Sequence, residues 1–97
     1  MKKMTKKQWL NQYGYAKRWY SSEKYYKYVD VVEMEGTIDT YNDYWLVIDL
    51  RKNRASVETA EESINITEKE YKTIGILLDW AKADFRQMLE ESVEKEE

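Results

Sequence analysis

Apolar residues recur at helical spacing near both ends of the chain and alternate in the stretch between, and this contrast sets the order of elements to expect. Thr5-Lys6-Lys7-Gln8 has the form of a capping box, in which the Thr hydroxyl takes an orphan backbone N–H and the Gln side chain reaches back. Trp9, Tyr13, Ala16 and Tyr20 follow at i, i+4, i+7 and i+11, within about 40° of Trp9 on a helical wheel. A first helix is therefore predicted through Tyr20, with Lys7, Asn11, Gly14 and Arg18 on its polar side. Gly14 reads either as a tolerated defect, costing about 1 kcal/mol relative to Ala, or as a point of close approach by a partner.

Ser21-Ser22 breaks that pattern, and Tyr25 to Glu35 alternates as a strand would, with Tyr26, Tyr28, Asp30, Val32 and Met34 on one side and Val29, Val31 and Glu33 on the other. A helix continuing through Tyr28 is the competing reading. After turn-like residues 36–43, Tyr44 to Leu50 is dense in aromatic and β-branched residues and predicts the central strand of a sheet. Arg51-Lys52-Asn53-Arg54 then makes a polar turn in which Asn53 tolerates a left-handed backbone, and Ala55 to Thr59 returns antiparallel with Val57 inward. Thr67-Glu68-Lys69-Glu70 is a second capping box opening a helix from Glu68 to Glu91. Its apolar arc collects Tyr71, Ile74, Leu77, Leu78, Ala81, Phe85, Met88 and Leu89, while Ile76, Trp80 and Ala83 form a second stripe outside it. The expected architecture is a single α+β domain of order α-β-β-β-α: an N-terminal helix, a short antiparallel three-stranded sheet, and a long C-terminal helix packed on it. Residues 1–4 and 92–97 are expected to fray.

Composition narrows the chemistry. The 97 residues contain no Cys and no His, so disulfides, thiolate zinc sites, thiol nucleophiles and the commonest general base are all excluded. At 42% hydrophobic and 36% charged the chain is apolar enough to fold, and no run approaches the ~18 apolar residues of a membrane span. No signal segment precedes the first helix, so a cytoplasmic location is expected. Asn65-Ile66-Thr67 matches the glycosylation pattern, but in that setting it is a chance match at a helix start. No cofactor or metal is implied. Glu70-Tyr71-Lys72 resembles the Glu-x-Lys of metal-dependent nucleases, yet it falls in the first turns of a helix rather than on a strand, and no catalytic role is assigned to it.

Charge is segregated. Residues 1–27 carry eight Lys/Arg against one Glu, residues 28–50 carry six acids and no base, and the net charge is −3. Several surfaces follow as candidates for binding a partner. Lys17, Arg18, Lys24 and Lys27 neutralise phosphates if Tyr15, Trp19, Tyr25 and Tyr41 stack on single-stranded bases, and the same groups otherwise roof and solvate a thin core. Arg51, Lys52 and Arg54 place three cations on one hairpin tip, fit for phosphate or an acidic protein patch. Asp30, Glu33, Glu35, Asp39 and Asp43 imitate nucleic-acid charge, or protect an edge and keep the chain soluble. The Ile76, Trp80, Ala83 stripe is a candidate dimer seam or partner contact, or is covered by the first helix or a loop.

Taken whole, the chain, opening MKKMTKKQWLNQYGYAKRWY and closing EYKTIGILLDWAKADFRQMLEE, resembles small proteins encoded by phages and mobile elements of Gram-positive bacteria, in particular the anti-CRISPR proteins directed at type II-A systems. That resemblance rests on no shared motif and transfers no residue role. It implies stoichiometric binding to an RNA-guided effector nuclease or its guide RNA, which blocks assembly, target binding or cleavage. The opening TKKQWLNQYGYAKRW also resembles the first segment of small phage transcriptional regulators, but the strand Tyr44 to Leu50 stands where their helix-turn-helix would lie.

Overall fold

A computed structural model describes residues 4–19, 22–29, 43–59 and 68–93, with the backbone alone for Lys69 and Glu70. In chain order the elements are β1 (Met4–Thr5), α1 (Lys6–Gln12), β2 (Ala16–Lys17), β3 (Lys24–Tyr28), β4 (Tyr44–Asp49), β5 (Arg54–Thr59), α2 (Glu68–Glu91) and β6 (Ser92–Val93). Among the described residues the fold is α+β, with two helices, a four-stranded antiparallel sheet and a short parallel pair. Neither helix is long and apolar enough to cross a membrane.

The first capping box forms as the sequence predicts: the Gln8 N–H donates to Thr5 Oγ1 at 3.1 Å and the Thr5 N–H to Gln8 Oε1 at 2.9 Å. The helix it opens does not reach Tyr20, however. It stops at Gln12, because Gly14 takes φ +91°, which no helical residue adopts. The Tyr15 N–H then donates to Leu10 O at 2.8 Å and the Gly14 N–H to Asn11 O at 3.4 Å, the paired bonds of a Schellman stop. Gly14 is thus the helix terminator rather than a defect within a longer helix. Turned by this stop, Ala16–Lys17 pairs antiparallel with β3 and adds a fourth strand to the three expected.

Sheet order is β2-β3-β4-β5, with Lys24 opposite Asp49, Tyr26 opposite Val47, Tyr28 opposite Trp45, and Val47 opposite Ser56. The predicted central strand is therefore central. The strand expected over Tyr25 to Glu35 is described as Lys24–Tyr28, with the Val29 N–H still donating to Tyr44 O at 3.0 Å; residues 30–35 lie outside the described ones. Side chains alternate across the pleat. One face presents Tyr25, Val29, Tyr44, Leu46 and Ile48, with Ala55 and Val57 alongside, to Leu77, Ala81 and Met88 of α2 and to Trp9, Leu10 and Tyr15. These residues are the core.

Helix α2 has the predicted bounds but is rotated from the predicted face. Thr73 is fully buried, whereas Tyr71 and Leu89, assigned to the core by the sequence pattern, stay exposed at 63% and 45%. A 24-residue helix is about 36 Å long and a six-residue strand about 20 Å, so apolar positions near the helix ends overhang the sheet. At the same time α1 and the Tyr15 turn pack on the other flank of α2, where the Tyr15 hydroxyl donates to Asp84 Oδ2 at 2.7 Å. That contact draws the polar side of α2 inward. Within the stretches expected to fray, Met4 pairs in parallel with Ser92, next to Thr5 with Val93, and residues 1–3 and 94–97 lie outside the described ones.

Candidate nucleic-acid interface

The register brings most of the predicted cations to one end of the sheet. Lys24 begins β3, Arg54 begins β5, and both flank Asp49 at the end of β4, while Lys17, at the end of β2, lies opposite Tyr25 one position further in. The β4–β5 turn adds Arg51 and Lys52 at the same end. That turn is built rather than loose. The carboxylate of Asp49, 5% exposed, accepts from the Arg51 N–H at 3.0 Å and the Lys52 N–H at 3.1 Å, and Asn53 closes the turn with φ +51°. The cationic side chains of Arg51, Lys52 and Arg54 are exposed.

Facing away from the helices, the second face of the sheet carries Lys24, Tyr26 and Tyr28 on β3, Trp45, Val47 and Asp49 on β4, and Arg54, Ser56 and Glu58 on β5. Arg18 reaches over it. Its guanidinium carbon lies 4.6 Å from the ring centroid of Tyr26 and 4.6 Å from that of Trp45. Cation–π contacts of this kind contribute about 0.5–1 kcal/mol when exposed and more when dry. Tyr28 meets Trp45 edge to face, with centroids 5.7 Å apart, and donates its hydroxyl to Asp43 Oδ1 at 2.8 Å. The Tyr26 hydroxyl donates to Glu58 Oε2 at 3.1 Å, and Lys24 Nζ stands 3.9 Å from the same oxygen. Burial first, then the Glu58 hydrogen bond and charge, raise the Tyr26 pKa above its ordinary 10.0, so the hydroxyl stays a donor. Tyr28 is 54% exposed, Trp45 half-buried, and Trp19, next to Arg18, 66% exposed. Three aromatic rings and a planar cation thus share one sheet face whose end carries the basic cluster. Such a surface offers planar groups for stacking and cations for phosphate.

Several sequence-predicted residues stand elsewhere. Tyr15 and Tyr25, expected as surface stacking rings, are 1% and 3% exposed in the core. The Schellman stop turns Tyr15 inward, and the pleat points Tyr25 at α2. Lys17 and Lys27 consequently cover core rings, with their Nζ atoms 5.6 Å from the Tyr25 centroid and 5.7 Å from the Tyr15 centroid. Lys27 also lies along Gly14, where an added Cβ would meet Lys27 Cε at 3.5 Å, so it serves the turn rather than the basic end. Trp80 is 46% exposed on α2, on the other side of the sheet. Asp30, Glu33, Glu35, Asp39 and Tyr41 lie outside the described residues. Of the acidic run, Asp43 is engaged in holding Tyr28.

Sequence reasoning did not single out Tyr26, Tyr28, Trp45 or Glu58 as site residues. Alternation already put Tyr26 and Tyr28 on one side of their strand. The same period in Tyr44 to Leu50, combined with antiparallel pairing, would have added Trp45. Among the described residues, no group of three or more Asp and Glu converges to hold a metal ion. No family model, curated protein or solved structure matches the chain.

Proposed function

We propose that the protein is a non-catalytic binding module that holds single-stranded nucleic acid on the sheet face bearing Arg18, Tyr26, Tyr28 and Trp45. The observation that carries this reading is the guanidinium of Arg18 over both the Tyr26 and Trp45 rings, beside an end of the sheet that gathers Lys24, Arg51, Lys52 and Arg54. Bases stack on Tyr28, Trp45 and Trp19 or on the outer face of Arg18, each stacked base adding about 1–3 kcal/mol, while the hairpin tip takes the phosphates. The resemblance to type II-A anti-CRISPR proteins makes the strand the guide RNA of an RNA-guided nuclease, and inhibition follows from occupying that RNA.

The test is fluorescence anisotropy of a short labelled RNA with the purified protein across a salt series. Four phosphates held by Lys24, Arg51, Lys52 and Arg54 give a slope of log K against log salt of about −3. Trp45→Ala is expected to weaken binding about tenfold or more with the salt slope unchanged, and Arg51→Ala/Lys52→Ala to flatten the slope. A protein that binds neither RNA nor single-stranded DNA at low salt sinks the reading. For the specific partner, a guide-loaded type II-A effector should lose target cleavage on adding the wild-type protein and keep it on adding the Trp45→Ala variant. Equal inhibition by both would place the inhibitory contact on another surface.

A further inference from the structure

The outer flank of α2 carries Ile76, Trp80 and Ala83 within about 60° of arc. Ile76 is 38% exposed and Trp80 46%, so neither α1 nor the sheet has folded over them. Beside this stripe, on one side, runs a row of exposed charges: Lys72, Asp79, Arg86 and Glu90, within about 40° of one another. Their signs alternate along the helix, positive, negative, positive, negative. Lys72 has one partner along the row, Glu68, with 3.6 Å between Nζ and Oε1, and both side chains are largely in water. An exposed i,i+4 pair of this kind is weak and readily exchanged.

From this pattern we infer that α2 pairs with α2 of a second copy of the chain, antiparallel, about a two-fold axis passing beside residues 81 and 82. In that register Trp80 of each copy lies against Ala83 of the other, a large side chain against a small one, and Ile76 lies against the aliphatic part of Gln87. The flanking row then meets itself reversed, with Lys72 facing Glu90 and Asp79 facing Arg86, each pair made twice by the symmetry. In a parallel two-fold pair the rows of the two copies fall on opposite sides of the seam and cannot meet, so these four pairs are lost. The charge row therefore selects both the partner, another α2, and its direction. Two Trp and two Ile side chains supply well under the roughly 1,600 Å² of a standard interface, so the dimer is weak and concentration-dependent. The seam lies across the sheet from Arg18 and stands or falls independently of nucleic-acid binding.

Sedimentation equilibrium of the wild-type chain over a wide concentration range is the first measurement, and a reversible monomer–dimer equilibrium is expected. Trp80→Asp should leave only monomer with an unchanged far-ultraviolet spectrum. Because a Trp variant can also disturb packing, the deciding variants are at exposed charged positions. Lys72→Glu should weaken the dimer about tenfold, Glu90→Lys likewise, and the double variant Lys72→Glu/Glu90→Lys should return to within about threefold of wild type. A wild-type chain that is monomeric at every concentration overturns the proposal. So does a dimer indifferent to Lys72→Glu, or one that the double variant fails to restore.

Discussion

At Gly14 the backbone dihedral φ is +91°, which an L side chain adopts only at a cost of about 1–2 kcal/mol. Space is not the obstacle there, since an added Cβ would stand 3.5 Å from Lys27 Cε, an ordinary contact. Gly14→Ala should therefore destabilise the protein by about 1–2 kcal/mol, lowering the thermal midpoint by about 4–8 °C per kcal/mol, and Gly14→Asn by less. Circular dichroism melts of the two variants check this. The residue after it, Tyr15, is buried and donates to Asp84. Tyr15→Phe leaves the half-buried carboxylate without that donor and should cost about 1.5–3 kcal/mol, the range for a hydrogen bond to a charged group. Burial, then the Asp84 hydrogen bond and charge, raise the Tyr15 pKa far above its ordinary 10.0, and burial followed by the Glu23 charge raises that of Tyr25 as well. Both groups keep their protons in the folded state while the unfolded chain ionises near 10.0. Their contribution is thus complete below that pH and is lost as pH rises above it. Stability should fall on going above pH 10, and tyrosinate absorbance should report fewer than nine titrating tyrosines until the fold is lost.

Elements that carry their own start, period and stop were legible from the residues alone. The β4–β5 hairpin follows from alternation and from an Asn at the left-handed position, and α2 from a period sustained over 24 residues, the Thr67 of its expected capping box lying outside the described residues. What local pattern does not encode is which flank of a helix its neighbours choose. Asp84 joined the inner side of α2 because Tyr15, 69 positions away, bonds it there, and Thr73 is fully buried as well. Strand β2 was equally hidden: Ala16–Lys17 is two residues long, with no alternation of its own, and is a strand only because Gly14 ends the helix before it. The candidate site was half legible: its cations were named, but of the rings expected at the surface Tyr15 and Tyr25 are buried while Trp19 is exposed and Tyr41 lies outside the described residues, because ring placement needs strand register as well as period. Within the hairpin, Asp49 makes the distinction between shape and charge testable. Asp49→Ala removes the acceptor for two backbone N–H groups and should cost about 1–3 kcal/mol while weakening RNA binding by loosening the tip. Asp49→Asn keeps an acceptor oxygen and should retain most of both. Calorimetry alongside anisotropy separates the two effects, and an Asn variant as damaged as the Ala variant would mean that the carboxylate charge, not the turn, is what counts.

Across the whole molecule, the helices and the proposed binding surface lie on different sides of the sheet, although Tyr26, Val47 and Asp49 are buried on the second side as well. The core side closes on itself: α1 has only seven residues, too few to persist alone in water, where isolated helices need about 12–15. It is held by Trp9 and Leu10, both fully buried, and by β1, which joins it at Thr5 and pairs with β6 at the far end of the chain. The Ser92 hydroxyl also donates to Met88 O, continuing α2 into that strand. Removing residues 92–97 takes away β6 and with it the backbone partner of β1, so α1 loses its anchor at the N-cap. The truncated chain should be destabilised by about 1–3 kcal/mol, and amide exchange over residues 6–12 should accelerate more than exchange over β4. Because Arg18, Tyr28, Trp45 and the hairpin tip lie on the other face, RNA affinity at a temperature where the truncated chain is folded should match that of the full chain within about twofold. Exchange rates that rise equally in α1 and β4 would show that the short parallel pair closes the whole domain rather than one helix, and a loss of affinity in a folded truncated chain would move the binding surface to the core side.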